Sequence, residues 1–552
     1  MFNKCKKRCS VIYNGMILFT QGVFLFYLCR FKFYMKKEDK DIYIMNSNRP
    51  STNKGFIRFI EKGGNALPHP AILFALFAVI TLIVSGIGYW LGWSGIHPAT
   101  GETVNVINLL SKEGLHRILL DMVTSYTGFA PLGIVMVALL GIGVAESSGL
   151  ISTAVKSLLL KAPPKSITLM VVFTGVLSNV ASDVGYILII PLAGVIFHSL
   201  GRHPIAGMSA AFAGVSGGFS ANILIGTIDP LLAGLSTEAA QILDPEYVVL
   251  PTANYYFMFV STFMIAILGT LVTDKIVEPR LGKYTGDVVP EVVKDLSAAE
   301  RKGLRNTGIA ALVWLAIILI GVIPENGLLR GADGSVLNSP LLRGFISFLF
   351  LIGATLGIVY GFTVGTFKKS ADVIEGMNQS FKSLVSFLVL VFFAAQFVAW
   401  FQWSNLGVLL AINGAEVLSN LNIGLIPLVI LFIIFSAFIN LFMGSASAKW
   451  AIMAPIFIPI FMLLGYSPDL SQAVYRVGDS ITNVMTPMMS YFALIIVYFQ
   501  KYQKNAGFGS IVANMLPYSV SFFIGWTALL IIWILLKIPL GPEAPLYYNF
   551  GQ

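Results

Sequence analysis

The sequence predicts an all-α polytopic membrane protein with about nine transmembrane helices, two re-entrant hairpins and an inverted repeat. Three features lead to this prediction: an apolar composition, two long apolar stretches that polar residues interrupt, and basic residues confined to particular connections. Of the 552 residues, 56% are hydrophobic and 11% are charged. Because a soluble chain carries about 25% charged residues, much of this surface must face lipid.

The composition also excludes several functional classes. Cys5, Cys9 and Cys29 all lie near the N-terminus, so the rest of the chain offers neither a disulfide framework nor a cysteine metal site. The sequence contains no His-Glu-x-x-His motif and no Gly-x4-Gly-Lys-Ser/Thr loop. The net charge of +9 resides in basic residues between apolar segments, which indicates membrane topology rather than a nucleic-acid partner. No organic cofactor is expected.

Residues 1–55 are predicted to be an extension that precedes the main membrane domain at residues 56–545. The apolar stretch Ile12–Leu28 follows a basic run, as in a signal sequence, but lacks a small-residue cleavage site. Met35 and Met45 are alternative starts, so we expect roughly the first 35–45 residues to be poorly ordered or absent from the natural protein.

Apolar windows of about 20 residues predict the membrane spans. The candidates are Ala71–Trp93, Pro131–Leu150, Ile205–Leu235, Asn254–Thr273, Ile309–Ile323, Leu341–Thr366, Ser383–Trp403, Ser471–Gln500 and Pro517–Leu536. Ser166–Leu200 and Ile423–Leu464 are too long for one helix and are interrupted by polar residues. We therefore predict that each is a re-entrant hairpin, which returns to the side of the membrane that it entered.

The basic residues fix the direction of the chain. Lys54, Arg58 and Lys62 place the N-terminus in the cytoplasm. If both long stretches are hairpins, every later basic cluster is cytoplasmic as well, while the connection that carries Glu238 and Asp244 lies outside. The predicted location is the cytoplasmic (inner) membrane, with the C-terminus outside.

An internal repeat appears when the chain is shifted so that Gly201 falls on Gly465, because Gly214 then falls on Gly478. The first predicted repeat covers about 131–276 and contains hairpin 166–200 and broken helix 205–235. The second covers about 383–538 and contains hairpin 423–464 and broken helix 471–500. The charges place the openings of the two hairpins on opposite sides of the membrane. Inverted repeats of this kind are typical of secondary transporters whose site lies between broken halves.

Polar groups at membrane depth identify the candidate site, because such groups persist mainly where they line a cavity or bind something. They fall at the two hairpin tips and in the two broken spans. The first copy contributes Asn179, Asp183, Asn222 and Asp229, and the second contributes Asn440, Ser447, Lys449, Trp450, Arg476, Asp479 and Pro487. Carbonyl and amide oxygens suit a weakly held alkali cation, and half-helix N-termini favour a substrate carboxylate.

Several of these residues have alternative interpretations. Arg476 and Asp479, three apart on one helix, form either a structural ion pair or part of an anion clamp. Asp229 caps a half-helix or carries a coupling charge. Lys449 snorkels or neutralises Asp183, and Trp450 packs or contacts substrate.

Residues 214–218 read Gly-Val-Ser-Gly-Gly, a pattern found around the serine nucleophiles of hydrolases and intramembrane proteases. A serine nucleophile needs a base, and no histidine follows His203 in the sequence. We therefore expect no enzymatic activity.

At these motifs the chain resembles the p-aminobenzoyl-glutamate transporter (AbgT) family, within the ion-transporter superfamily. The resemblance runs from about Phe56 to Pro545. It rests on Ser178-Asn-Val-Ala-Ser-Asp183, Gly226-Thr-Ile-Asp-Pro230, Gly444-Ser-Ala-Ser-Ala-Lys-Trp450 and Tyr475-Arg-Val-Gly-Asp-Ser480. The N-terminal extension departs from the family pattern.

The resemblance implies a homodimer with nine transmembrane helices and two hairpins in each protomer. The residues that it implies for transport are Asp229, Ser447, Trp450, Pro468, Arg476, Asp479 and Pro487. Asn440 and Asp479 resemble the sodium ligands of the family, so a sodium ion is a possible partner.

The expected function is ion-coupled transport of p-aminobenzoyl-glutamate, or export of p-aminobenzoate-like and sulfonamide antimetabolites. Arg476 would hold a substrate carboxylate, Trp450 would contact the aromatic ring and Asp229 would carry the coupling charge. A sodium-coupled dicarboxylate carrier and a passive anion channel are the alternatives. The sequence does not choose between import and export, or between proton and sodium coupling.

Overall fold

The computed structural model describes residues 68–96, 101–180, 185–290, 295–336, 339–421 and 423–549, without the side chains of Ser383 and Ser386. All of these residues belong to the second of two units into which the chain divides, Phe59–Gln552. The predicted extension, its alternative start sites and Asp183 lie outside the described residues.

The described residues form α-helices with short connections and one small sheet. The helices of the first half are α1 (Pro70–Trp90), α2 (Lys112–Thr127), α3 (Ala130–Ser147), α4 (Leu150–Leu160), α5 (Ile167–Leu177), α6 (Ile190–Ser199), α7 (Pro204–Phe212), α8 (Ile228–Ala240), α9 (Tyr255–Val272) and α10 (Glu278–Leu281). Those of the second half are α11 (Ala298–Val322), α12 (Pro340–Arg343), α13 (Phe345–Val364), α14 (Ser370–Trp403), α15 (Leu406–Asn420), α16 (Leu425–Asn440), α17 (Ala446–Leu463), α18 (Pro468–Asn483), α19 (Phe492–Tyr502) and α20 (Phe508–Leu535). Strands β1 (Ser94–Ile96) and β2 (Thr103–Asn105) pair antiparallel, with Gly95 opposite Val104.

Seven helical stretches in the described part are long and apolar enough to cross a membrane, or eight if the bent α14 is one span. The prediction of a mostly helical protein with multiple apolar spans is therefore confirmed at this level. Helix α2 was not predicted, because Lys112, Glu113, Arg117 and Asp121 lower the hydropathy of its sequence window. In the structure it continues into α3, and together they form one stretch from Lys112 to Ser147.

The two long interrupted stretches each form a pair of short helices. Helices α5 and α6 flank the first tip, and α16 and α17 flank the second. Each pair is followed by a span that breaks: Ala213–Gly217 forms a π-helical turn after α7, and residues 484–491 separate α18 from α19. The same order of elements therefore occurs twice.

Corresponding glycines make corresponding close contacts in the two copies. A Cβ atom on Gly214 would lie 2.3 Å from the carbonyl oxygen of Val172 on α5, and one on Gly478 would lie 2.5 Å from Cβ of Ser436 on α16. The shift that places Gly214 on Gly478 also places Val172 on Ser436. In both copies, therefore, the backbone of the broken span lies close to the first helix of its helix pair.

The helices around the site come from both halves of the chain. Helix α17 packs against α8 and α18, and α16 packs against α18, so the second helix pair contacts both broken spans. Helix α3 packs against α8, α13 and α14. Described residues beside the two tips and in the two breaks line one cavity together with α3 and the long helix α14.

Candidate functional site

Helix α18 supplies most of the polar groups of the site. All of its residues, from Pro468 to Asn483, are buried. Ser467 begins the helix, since its Oγ accepts a hydrogen bond from the backbone N–H of Leu470 at 3.1 Å, and Pro468 occupies the first turn. The polar positions Gln472, Arg476, Asp479, Ser480 and Asn483 recur at helical spacing. A polar stripe buried in this way must find partners inside the protein.

Arg476 is paired with Asp229 of α8. Its Nη2 donates to Asp229 Oδ1 at 2.6 Å, and the two side chains are 3% and 2% exposed. Asp229 Oδ2 also accepts the backbone N–H of Gly226 at 2.6 Å, so this carboxylate both holds the backbone that leads into the half-helix and neutralises an arginine. Nε and Nη1 of Arg476 are buried without a hydrogen-bond partner in the described part of the chain. The buried pair thus retains two unused guanidinium donors.

Arg476 and Asp479 do not pair with each other in the described part of the chain, although an ion pair between them was one of the two interpretations that the sequence left open. Asp479 instead pairs with Lys449 of α17, whose Nζ donates to Asp479 Oδ1 and, at 2.5 Å, to Asn440 Oδ1. The physical reason is that neighbouring helices on two sides of α18 offer each residue an opposite charge. Lys449 does not snorkel, because its side chain is completely buried.

The implied sodium ligands, Asn440 and Asp479, both make hydrogen bonds within the chain. Asn440 directs its amide group to the carbonyl oxygen of Asp479 at 2.7 Å and to Asn483 Oδ1 at 2.8 Å. The oxygens Asn440 Oδ1 and Asp479 Oδ1 both accept from Lys449 Nζ. As they are arranged, Asn440 and Asp479 therefore hold an ammonium group and do not fit a sodium ion.

Trp450 belongs to a buried network and is not among the described residues that line the cavity between α3 and α14. Its ring stacks on Tyr475 with the centroids 4.3 Å apart, and its Nε1 donates to Ser236 Oγ at 2.9 Å. Ser236 in turn donates to Gln472 Oε1 at 2.7 Å, and Gln472 Nε2 donates to Asn254 Oδ1 at 2.9 Å. The network joins α8, α17 and α18 to the start of α9.

A cavity of about 830 Å³ lies between α3, α14, both tips and both breaks. This volume falls within the range of small-molecule sites, about 300–1,000 Å³. Asn179 and Ser447 line it, as do Thr227 and Ile228, which immediately precede Asp229. Ala446 also lines it, and its carbonyl oxygen accepts the hydroxyl of Tyr475 at 2.6 Å. Asp229 therefore directly follows a residue of the cavity wall, while Arg476 is separated from that wall by Tyr475.

The other predicted site residues lie around the tips and breaks. Asn179 Nδ2 donates to the carbonyl oxygen of Gly218 at 3.4 Å, and Asn222 Oδ1 accepts the backbone N–H of Ile223 at 2.9 Å. These two amides therefore stabilise irregular backbone. Pro487 lies in the second break, and Ser216 Oγ contacts the sulfur of Met489 at 3.3 Å.

Sequence reasoning missed several residues of this site. Ser236, Gln472 and Asn254 are ordinary polar residues whose partners are distant in the chain. Tyr186 and Tyr491, which line the cavity, stack with centroids 4.8 Å apart and an interplanar angle of 10°. Residues 186 and 491 follow the first tip and the second break, and that position was the available signal.

Glu146 lies at the end of α3, where it is exposed and lines the cavity. It is the one charged residue among the described residues that line the cavity.

Comparisons with known proteins agree on one family. A family model described as the AbgT putative transporter family matches residues 55–548. The p-aminobenzoyl-glutamate transport protein of Escherichia coli K12 is 37% identical over 485 residues, which cover 88% of this chain and 95% of the relative. Among solved structures, MtrF of Neisseria gonorrhoeae, described as illuminating a class of antimetabolite efflux pumps, superposes with a TM-score of 0.85 at 49% identity, covering 89% of this chain and all of MtrF. The YdaH transporter of Alcanivorax borkumensis gives a TM-score of 0.82 at 46% identity, covering 86% of this chain and all of YdaH. The chain therefore belongs to the AbgT family of transporters.

Proposed function

We propose that this protein is an ion-coupled secondary transporter of aromatic carboxylates that contain an aminobenzoyl group, such as p-aminobenzoyl-glutamate, and of p-aminobenzoate-like or sulfonamide antimetabolites. The name of the Escherichia coli relative, a p-aminobenzoyl-glutamate transport protein, and the description of MtrF support this substrate class. The protein acts as a homodimer in the bacterial inner membrane, with the N-terminus in the cytoplasm and the C-terminus outside.

The observation that carries this proposal is the incomplete pairing of Arg476. A buried guanidinium normally uses most of its donors, because each unpaired one costs free energy. Here Nη2 holds Asp229, while Nε and Nη1 have no partner among the described residues. Either nitrogen can donate a charge-assisted hydrogen bond to a carboxylate oxygen, and Nη1 together with Nη2 forms a fork that binds a carboxylate through two hydrogen bonds. A substrate carboxylate that binds this fork competes with Asp229 for Nη2.

Competition at Arg476 provides a route to coupling. When a substrate anion takes over the guanidinium, Asp229 keeps the N–H of Gly226 but loses its counter-charge. A carboxylate deprived of its cation in a low-dielectric site favours uptake of a compensating positive charge. Accumulation of substrate under an imposed proton gradient or an imposed sodium gradient identifies the cation that supplies this positive charge.

The aromatic part of the substrate has a separate candidate surface. The stacked pair Tyr186–Tyr491 faces the cavity. Aromatic rings prefer offset-stacked or edge-to-face partners, and such contacts add about 0.5–1.5 kcal/mol beyond area burial. We therefore place the aminobenzoyl ring against this pair rather than against Trp450.

We further propose that the helix pairs α5–α6 and α16–α17 are re-entrant hairpins in an inverted repeat. Three observations support this arrangement: the repeated order of elements, the matching contacts of Gly214 and Gly478, and the tip amides. Asn179 and Asn440 each donate to a backbone carbonyl of the broken span that follows, Gly218 and Asp479 respectively. Such broken elements around one midplane site are the architecture of alternating-access transporters.

A competition experiment tests the substrate class. Purified protein in proteoliposomes should take up labelled p-aminobenzoyl-glutamate, and excess p-aminobenzoate or a sulfonamide should inhibit that uptake while succinate does not. Inhibition by succinate but not by the aromatic compounds would instead favour the dicarboxylate carrier. Uptake that only equilibrates across the membrane would favour a channel.

A further inference from the structure

Lys449 places a positive charge between the two residues that resemble the family's sodium ligands. Its side chain is 0% exposed, and that of Asp479 is 1% exposed. Nζ contacts both Asn440 Oδ1 and Asp479 Oδ1, while the amide group of Asn440 is directed at α18. Each of these two oxygens is therefore already bound to a cation that the chain carries itself.

We propose that the Lys449 ammonium is the resident cation of the Asn440–Asp479 pair and excludes alkali cations from it. The first reason is geometric, because a sodium ion bound to these oxygens would occupy the position of Nζ. The second is electrostatic: one carboxylate balances one cation, and a second cation would leave a net positive charge buried at membrane depth. The position thus has low sodium affinity because of Lys449, and removal of the ammonium converts it into a sodium site.

The inference concerns only the cation and does not depend on the substrate. Its test needs no measurement of transport. An ion that binds only the folded state raises the melting temperature as the concentration of that ion increases. The proteins compared are the wild type, Lys449→Met and Lys449→Met/Asp479→Asn, purified in detergent. Each is melted in a series of sodium chloride concentrations, with choline chloride holding the ionic strength constant.

We expect the wild-type melting temperature to be the same in sodium and in choline. Lys449→Met should melt lower than the wild type in choline and gain several degrees in sodium, because sodium then compensates Asp479. The double variant, which has lost both charges, should show no sodium dependence. Equilibrium binding of radioactive sodium should follow the same order, with binding only to Lys449→Met.

Two outcomes would overturn the inference. One is a folded Lys449→Met variant that melts identically in sodium and choline. The other is a wild-type protein that sodium stabilises and whose sodium dependence Asp479→Asn abolishes, which remains measurable even if Lys449→Met fails to fold in every salt. Folding of Lys449→Met only in the presence of sodium would support it.

Discussion

At the scale of single residues, the site contains two buried ion pairs that differ in how completely they are satisfied. Lys449 also donates a hydrogen bond to the side-chain oxygen of Asn440, and Asp479 also accepts one from the side-chain amide of Asn483. Arg476 and Asp229 leave two guanidinium donors without partners among the described residues. A satisfied pair suits a structural role, whereas unused donors in a buried pair suit recognition of a ligand. We therefore assign substrate binding to Arg476 and not to Lys449.

Removal of one member of the Arg476–Asp229 pair should lower the free energy of unfolding more than removal of both members. Arg476→Met leaves a buried, uncompensated Asp229, which is expected to cost about 3–5 kcal/mol, whereas Arg476→Met/Asp229→Leu removes both charges and should recover most of that loss. Thermal melts in detergent measure the stability, and substrate uptake measures the function. The double variant should be stable but inactive. A double variant that transports normally would contradict the role of Arg476.

Trp450 and Tyr491 should respond differently to substitution. Trp450→Phe keeps the stack on Tyr475 but loses the hydrogen bond to Ser236, a cost of about 1 kcal/mol, and the KM for p-aminobenzoyl-glutamate should not change. Tyr491→Ala should raise that KM, and Tyr491→Phe should restore it, because the ring provides the contact. Initial uptake rates over a range of substrate concentrations measure both values. A raised KM for Trp450→Phe with normal KM for Tyr491→Ala would favour Trp450 as the ring contact.

The sequence identified the charged residues of the site but not their pairing. Arg476 and Asp479 were recognisable because charge is rare in apolar sequence, and their membrane depth follows from the spans. Their partners, Asp229 and Lys449, come from other helices, so pairing depends on packing that no local pattern contains. Ser236 and Gln472 gave no signal, since buried polar side chains are recognised only when their partners are known.

At the scale of elements, the broken spans are held by close backbone contact with the helix pairs. Gly478 on α18 lies against Ile433 and Ser436 of α16, and Gly214 lies against Val172 of α5. Helix pairs and breaks were predictable from apolar stretches with polar interruptions, and the structure has both. Helix α2 and strands β1 and β2 were not predictable in the same way, because charged or short segments give little hydropathy signal.

A methyl group at either glycine should separate the helices. Gly478→Ala would place Cβ 2.6 Å from the carbonyl oxygen of Ile433, and overpacking of this kind typically costs about 1–3 kcal/mol. Gly214→Ala, whose Cβ would meet the carbonyl oxygen of Val172, should cost a similar amount. Melting temperatures and uptake rates should both fall in each variant.

Gly308→Ala is the matched control, since a Cβ at Gly308 in α11 would have no neighbour within 4 Å. This control should be unchanged, or more stable by up to about 1 kcal/mol from helix propensity alone. If Gly214→Ala and Gly478→Ala behaved like Gly308→Ala, the proposed equivalence of the two contacts would lose its support.

At the scale of the whole molecule, the structure combines a polar centre with apolar outer helices. In α11, Gly303, Thr307 and Gly321 are the buried positions, while Leu312, Ile320 and other large side chains are exposed. Lipid or a second protomer must cover such a surface. The composition alone predicted this outer surface, whereas the arrangement of the centre required the structure.

The proposed homodimer predicts a mass of two chains in solution. Protein extracted in a mild detergent and measured by native mass spectrometry should give a species of twice the chain mass after the detergent is removed. A purely monomeric species at every detergent concentration, with transport retained after reconstitution, would contradict the dimer without affecting the site.

The most direct test of the proposed transport mechanism is accumulation of labelled p-aminobenzoyl-glutamate in proteoliposomes with an imposed proton or sodium gradient, compared between the wild type and Arg476→Met at equal incorporation. We predict that the wild type concentrates the substrate above the external level under one of these gradients. An ionophore that dissipates the gradient should abolish this accumulation. Arg476→Met should not accumulate substrate. Simple equilibration by the wild type under every gradient, or equal accumulation by Arg476→Met, would contradict it.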